Sequence, residues 1–318
     1  MDSHAVPGRS CPLHYRYDPS VFDSEAPARL RQLEVLYVVG GLYGNELALA
    51  RVLELFEREQ GEKRLVFNGD FHWFDADPTV FAQVQRAVLA HEATRGNVET
   101  ELAAPAGDGD DAGCGCAYPD WVGDGVVERS NRILQRLRHA ATDEQRAELA
   151  ALPMWLRADV AGARIAVVHG DATSLAGWGF AQEHLRDPAH RAEVARWITQ
   201  ARVDAFACTH TCLPVFQAVQ QRWVLNNGAA GMPNFRGDAA GLLTRLATRP
   251  FSGPERRHGV RMASGLHAEA IAIDFDADEW QRRFEARWPA GSDAHLSYAE
   301  RIRSGPGYHA SSALRPAG

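Results

Sequence analysis

The chain has 318 residues, 45% of them hydrophobic and 24% charged, and a formal net charge of −7. That balance is ordinary for a globular protein and excludes collagen-like, wholly disordered and membrane-embedded classes. A negative field without a Lys/Arg run disfavours nucleic acid and anionic lipid as partners, so an anionic substrate has to be drawn in by local cations or a metal.

The N-terminal residues show no positive segment followed by an apolar one, so no signal peptide is expected, and no apolar run reaches the roughly 18 residues of a membrane span. Five cysteines (Cys11, Cys114, Cys116, Cys208 and Cys212) form an odd set that suits a reducing cytoplasm better than a disulfide framework.

An apolar run at 35–39 predicts the first strand, and 45–59, with Leu49, Val52, Leu53 and Phe56 at helical spacing, predicts a helix packed on it. A strand over 65–67 and a helix over 78–90, opened by Pro78, follow. Residues 103–118 are Gly- and Asp-rich and aperiodic, which predicts an inserted loop. Helices over 126–138 and 143–152 are expected to cap the sheet edge above the site. Strands at 165–168, 205–208, 223–225, 242–246 and 270–275 complete an alternation that argues for α/β or layered α+β construction, with a more antiparallel second sheet late in the chain. The organisation expected is one domain over 1–318, with its core at about 33–275, an insertion at about 103–152 and a Gly/Pro/Ser-rich tail, frayed from about 304.

Four polar signals stand at the ends of expected strands: Gly69-Asp70, Gly96-Asn97, His169-Gly170 and His210-Thr211. Open α/β sheets place their chemistry at such ends. A lone strand-end Asp or His is usually a hydrogen-bonded structural residue. Four in series, offering carboxylate, amide and two imidazoles, suit Mn, Fe or Zn in five- or six-coordinate geometry.

The series Gly44-Asn45, Asn68-Gly69-Asp70, Arg95-Gly96-Asn97-Val98-Glu99, Val168-His169-Gly170, Thr209-His210-Thr211 and Asn227-Gly228 through Pro233 resembles the calcineurin-like metallophosphoesterases, over roughly residues 33–275. The resemblance is to the small bacterial and archaeal branch. It implies a four-layer α/β sandwich, two mixed β-sheets flanked by helices, with two metal ions at the strand ends and a metal-activated water as nucleophile. Asp70 would bridge the ions, and Asn97, His169 and His210 would complete the second site.

The departures fall in one place. Where the family has Asp-X-His-Gly-Asn this chain has Gly41-Leu42-Tyr43-Gly44-Asn45, and where it has Gly-His-X-His this chain has Thr209-His210-Thr211-Cys212. The lost ligands all belong to the first ion, so the resemblance implies a degenerate first-metal site and one ion in preference to two. Cys212, Tyr43 and His72 are the residues that could rebuild it; Tyr43 could instead fill the vacated volume. Tyr43, Asn45 and Arg95 are candidate phosphate contacts, with Arg236 a further cation near a motif. Val98 stands where many relatives have a proton-donating His, which favours good leaving groups. Asn227 reads as structural, Cys208 as a small buried hydrophobe, and the Cys114-Gly115-Cys116 pair has no assigned role. The function expected is a cytoplasmic phosphatase or phosphodiesterase acting on a small phosphorylated substrate; the alternative is a catalytically silent binding or scaffold protein of the same fold.

Overall fold

The computed structural model describes residues 7–23, 29–104 and 113–316. Its strands are β1 (Arg29–Leu33), β2 (Val35–Val39), β3 (Lys63–Asn68), β4 (Glu92–Thr94), β5 (Trp155–Val160), β6 (Ala163–Val168), β7 (Ala205–Cys208), β8 (Val215–Val219), β9 (Arg222–Asn226), β10 (Gly241–Ala247), β11 (Arg256–Arg261), β12 (His267–Ile273) and β13 (Leu314–Arg315). Its helices are α1 (Glu46–Glu57), α2 (Pro78–Leu89), α3 (Asn97–Ala103), α4 (Asp124–Arg138), α5 (Asp143–Ala150), α6 (Pro188–Ala201), α7 (Ala277–Arg287) and α8 (Asp293–Ser304).

The strands form two mixed sheets, one of seven in the order β1-β5-β6-β7-β9-β8-β13 and one of six in the order β11-β12-β10-β2-β3-β4. Period-two alternation assigns each strand face to a layer. In β2, Leu36 and Val38 join Ile165 and Val167 of β6 and Ala205 and Ala207 of β7 in the core between the sheets. Val35, Tyr37 and Val39 face the other way, against Leu49 and Val52 of α1 and Phe81 and Val84 of α2. Ala166, Val168, Phe206 and Cys208 face outward from the seven-stranded sheet onto Val194 and Ile198 of α6. Helix, sheet, sheet and helix therefore stack as four layers.

The late strands β10, β11 and β12 are antiparallel as expected, but they extend the sheet of β2, β3 and β4. Strand β10 pairs with β2 from Thr244↔Val38 to Ala247↔Val35. That pairing satisfies the backbone edge of a strand buried on both faces, which could not stand unpaired.

The fold also holds one element the sequence did not reveal and one expectation it overturns. Helix α3 is too short for periodicity to reveal it. The tail beyond 304 is anchored through its described residues: Tyr308 and Ala313 are buried, the Tyr308 hydroxyl donates to Pro214 O, and β13 runs parallel to β8. Its composition removes periodicity, yet one buried aromatic holds it. Of the expected loop, residues 105–112 lie outside those described.

Candidate metal centre

Strands β3 and β4 are parallel in one sheet, β6 and β7 in the other, and all four end at one rim. Asn68, the last residue of β3, ties the rims together. Its Nδ2 donates to Val168 O (2.7 Å), its Oδ1 accepts from Thr94 Oγ1 (2.9 Å), and its backbone O lies 2.9 Å from His169 Nδ1. The glycines of two motifs permit the approach. A Cβ on Gly69 (φ +74) would lie 2.5 Å from Gly96 N and 2.6 Å from His169 Nδ1, and one on Gly96 would lie 2.4 Å from Asp70 Oδ1.

Asp70 itself adopts a left-handed backbone (φ 53), a strained state for a non-glycine residue that its surroundings must hold. Glu99, fully buried, does so: its carboxylate accepts from Asp70 N (2.7 Å), Phe71 N (2.9 Å) and Gly96 N (2.9 Å). Burial, and then the Asp70 charge, push the Glu99 carboxyl above its usual range. Val98 N donates to Asp70 Oδ1 (3.2 Å).

Asp70, His169 and His210 form the one group of three His, Cys, Asp or Glu ligand atoms found within 4.8 Å of each other among the described residues. His169 Nε2 lies 3.2 Å from His210 Nδ1, 3.2 Å from Asn97 Oδ1 and 3.4 Å from Asp70 Oδ2. Each side chain's outward N–H is engaged by a backbone carbonyl: His169 Nδ1 by Asn68 O, His210 Nε2 by Cys116 O (3.1 Å) and Asn97 Nδ2 by Cys114 O (2.8 Å). Those bonds fix the tautomers and leave four acceptor atoms facing one another with no donor among them. A cation resolves that arrangement, and ligands at about 2.1 Å from one ion stand roughly 3.0–3.4 Å apart, as His169 Nε2 does from the other three. The donor set fits a divalent transition metal.

Without an ion the same crowding falls on protons. Burial opposes the charge of His169, but the Asp70 carboxylate holds its pKa above the usual imidazole value. Burial, then the neighbouring His169, depress His210 to about 3. Burial would raise Asp70, yet the two imidazoles keep it below the usual carboxylate range.

The other half of the cleft is built differently. Tyr43 (φ 56) and Cys212 (φ 61) keep left-handed backbones, and the Cys212 thiol donates to His210 O (3.2 Å) while Tyr43 Oη lies 2.8 Å from Cys212 Sγ. Burial raises the pKa of both, so phenol and thiol stay neutral. A Cβ on Gly41 would lie 2.9 Å from Tyr43 Cζ: the tyrosine ring occupies the space a side chain at 41 would need.

The remaining candidates lie apart from the acceptor set. His72 is fully buried, bonded to Asp75 Oδ2 through Nδ1 (2.7 Å) and stacked on Phe81 at 3.7 Å. Asn45 caps α1, its Oδ1 accepting from Leu47 N and Ala48 N and its Nδ2 donating to Gly231 O. Arg95 reaches towards Ala150 O, and Arg236 is exposed. Asn227 donates to Gly40 O and Leu242 O, a structural use.

Above the acceptor set lies a cavity of about 50 Å³ lined by Tyr43, Asp70, Trp73, Asn97, Val98, Cys116, Tyr118, Trp178, His210, Cys212 and Tyr298. Its roof is the Cys114–Tyr118 segment and Trp178; α4 and α5, expected above the site, contribute no lining residue. Cys114 and Cys116, which the sequence left without a role, are joined by a disulfide, while Cys11, Cys208 and Cys212 are free. Trp73, Tyr118, Trp178 and Tyr298 were not singled out by the sequence, because an isolated aromatic carries no positional pattern.

No helix among the described residues is long and apolar enough to cross a membrane. No protein of curated function matches the chain. Among solved structures it is similar to a hypothetical protein of Pyrococcus horikoshii (14% identity, TM-score 0.58, covering 86% of this chain and 99% of that one). It is also similar to a metallophosphoesterase of Sphaerobacter thermophilus (16% identity, TM-score 0.53, covering 86% and 100%). At such identities the likeness establishes the four-layer fold. The sequence signal is independent of it: the model of the calcineurin-like phosphoesterase superfamily domain matches residues 44–248, well over half the chain and the stretch that carries every strand-end motif above. The chain belongs to the calcineurin-like phosphoesterase superfamily, a metal-dependent one.

Proposed function

We propose that the protein is a phosphoesterase that hydrolyses a small phosphate mono- or diester, using one firmly held divalent ion, Mn, Fe or Zn, on Asp70, Asn97, His169 and His210. The observation that carries this is the convergence of four acceptor atoms whose outward N–H groups are already spent on carbonyls. Bound there, the ion supplies Lewis acidity, which lowers the pKa of a water and polarises a phosphoryl oxygen. The chain contributes the rest. Glu99 holds the Asp70 backbone and Val98 N its carboxylate, and the aromatic walls exclude bulk water. Val98 offers no side-chain proton, so leaving groups that depart as stable anions are favoured. This reading treats the chain as one domain with residues 103–152 as an insertion, working in the cytoplasm.

Elemental analysis of the purified protein tests it together with turnover of nitrophenyl phosphate mono- and diesters. The expected result is near one transition metal per chain and turnover that His169→Ala and His210→Ala both abolish. Two tightly held ions, or variants as active as the parent, would sink it. A second reading, binding without hydrolysis, is favoured by the size of the cavity, which holds a few waters, and by the absence of Lys or Arg from its lining. Metal and phosphate binding without turnover of either ester would select that reading.

A further inference from the structure

The roof over the acceptor set is chemically unusual. Of the three carbonyls that take the outward N–H groups of Asn97, His169 and His210, two belong to Cys114 and Cys116, and these cysteines are bonded to each other across a single glycine. Their Cα atoms are 5.3 Å apart, against about 7 Å for an extended pair, so the bridge closes a tight turn that aims both carbonyls down into the cleft. Gly115 (φ +64) sits at its apex against Asn97: a Cβ there would lie 2.3 Å from Tyr15 Oη and 3.2 Å from Asn97 Cβ. Cys116 O also accepts from Trp178 Nε1 (3.0 Å), and Cys114 N donates to Asn131 Oδ1 (2.9 Å). Both sulfurs are buried, that of Cys116 beside Asn97 Nδ2 (3.5 Å) at the cavity wall.

Metal-binding imidazoles and amides owe their orientation to the acceptor on their far side, and removing such an acceptor typically weakens metal affinity about 10–100-fold. Here that acceptor is a backbone turn closed by a bond that a thiol reductant can open, and disulfides in reducing compartments are usually the labile, redox-sensing ones.

We propose that the Cys114–Cys116 bridge is a redox-set positioning clamp for the metal: closed, its two carbonyls orient Asn97 and His210 toward the ion; opened, they release them and metal affinity falls. This rests on the acceptor set being a metal site. The opening step is a two-electron exchange with a dithiol. The Sγ–Sγ bond breaks, two thiols form with two protons, and the reductant leaves as its own disulfide. Neither sulfur binds the ion in either state; the effect passes through the carbonyls.

Co2+ serves as the probe, titrated into full-length, metal-stripped protein and followed by calorimetry and by its visible spectrum. The oxidised parent is expected to bind at least 10-fold more tightly than the dithiol-reduced parent. The Cys114→Ser/Cys116→Ser double variant should match the reduced form and lose all response to reductant. Gly115→Ala, which pushes the turn off Asn97 while keeping both cysteines, should also bind more weakly than the oxidised parent. Thermal unfolding of each sample confirms that it is folded. Equal affinity for Co2+ in the oxidised, reduced and double-variant proteins overturns the clamp while leaving the metal site standing. A thiolate-to-cobalt charge-transfer band in the reduced parent, absent from the double variant, overturns it by making the thiols ligands. Failure of the oxidised parent to bind Co2+ removes the metal reading and the clamp together.

Discussion

On one side of the cleft His169 and His210 turn ring nitrogens toward Asp70 and Asn97; on the other Tyr43 and Cys212 turn a phenol and a thiol toward each other. Both halves share one backbone feature. Asp70, Tyr43 and Cys212 are all left-handed non-glycine residues, a state that costs roughly 1–3 kcal/mol each and persists where the surroundings over-determine it. One half gathers acceptor atoms, while the side chains of the other form a self-satisfied hydrogen-bonded pair. The difference teaches that the side chains of the second half satisfy one another rather than an ion. The Tyr43 ring occupies the space a side chain at 41 would fill, so Gly41 and Tyr43 are a single packing solution.

The strongest way to break the comparison is to disable the half that keeps its acceptors. His169→Ala or His210→Ala should lower Co2+ affinity by about 100-fold or more and leave less than one metal per ten chains by elemental analysis. The same two substitutions should leave the Tyr43–Cys212 pair and the fold intact. Metal content unchanged in either variant would mean that the ion, if any, sits elsewhere.

Next in size is an attack on the geometry the halves share. Gly69→Ala puts a Cβ against Gly96 N and His169 Nδ1 from a left-handed backbone, and a methyl group there has no room to relax because it is caught between the next strand end of its own sheet and the rim of the other. The expected loss is about 2–4 kcal/mol of stability by denaturant unfolding, with metal binding lost in step. A variant as stable as the parent would show that the two sheet rims are less tightly joined than Asn68 and Gly69 imply.

Asp70, His169 and His210 were legible because each stands beside a glycine or threonine at the close of an apolar run, Asn97 by its glycine alone, and the four do converge. What was not legible acts through the backbone or through single aromatics. Cys114 and Cys116 contribute carbonyls, which every residue has, while Trp178 reaches the cavity from a loop and Tyr298 as a single aromatic of α8. His72 looked close to Asp70 in sequence, but two residues of turn carry it to Asp75 and Phe81 instead. The layers were readable from apolar runs alternating with helical patterns, whereas the joining of β10 to β2 depends on a long-range pairing that no local pattern encodes.

A gain-of-site variant sharpens the comparison from the other side. Gly41→Asp alone would collide with the Tyr43 ring, but Gly41→Asp with Tyr43→His and Cys212→His removes the ring as it adds the carboxylate. The triple variant should hold a second ion, raising metal content from near one toward two per chain by elemental analysis. Content that stays near one would mean that the half-cleft has closed beyond the three side chains.

The smallest expected effect tests whether the neutral pair is inert. Because the Cys212 thiol donates to His210 O, its sulfur is free to accept from the Tyr43 hydroxyl, and Tyr43→Phe leaves only a weak sulfur acceptor unpaired. Stability should fall by no more than about 1 kcal/mol, and Co2+ affinity should change less than about threefold, since the acceptor atoms facing His169 are untouched. A tenfold loss of affinity would instead place the phenol among the groups around the ion, and would make the Tyr43–Cys212 half a working part of the site.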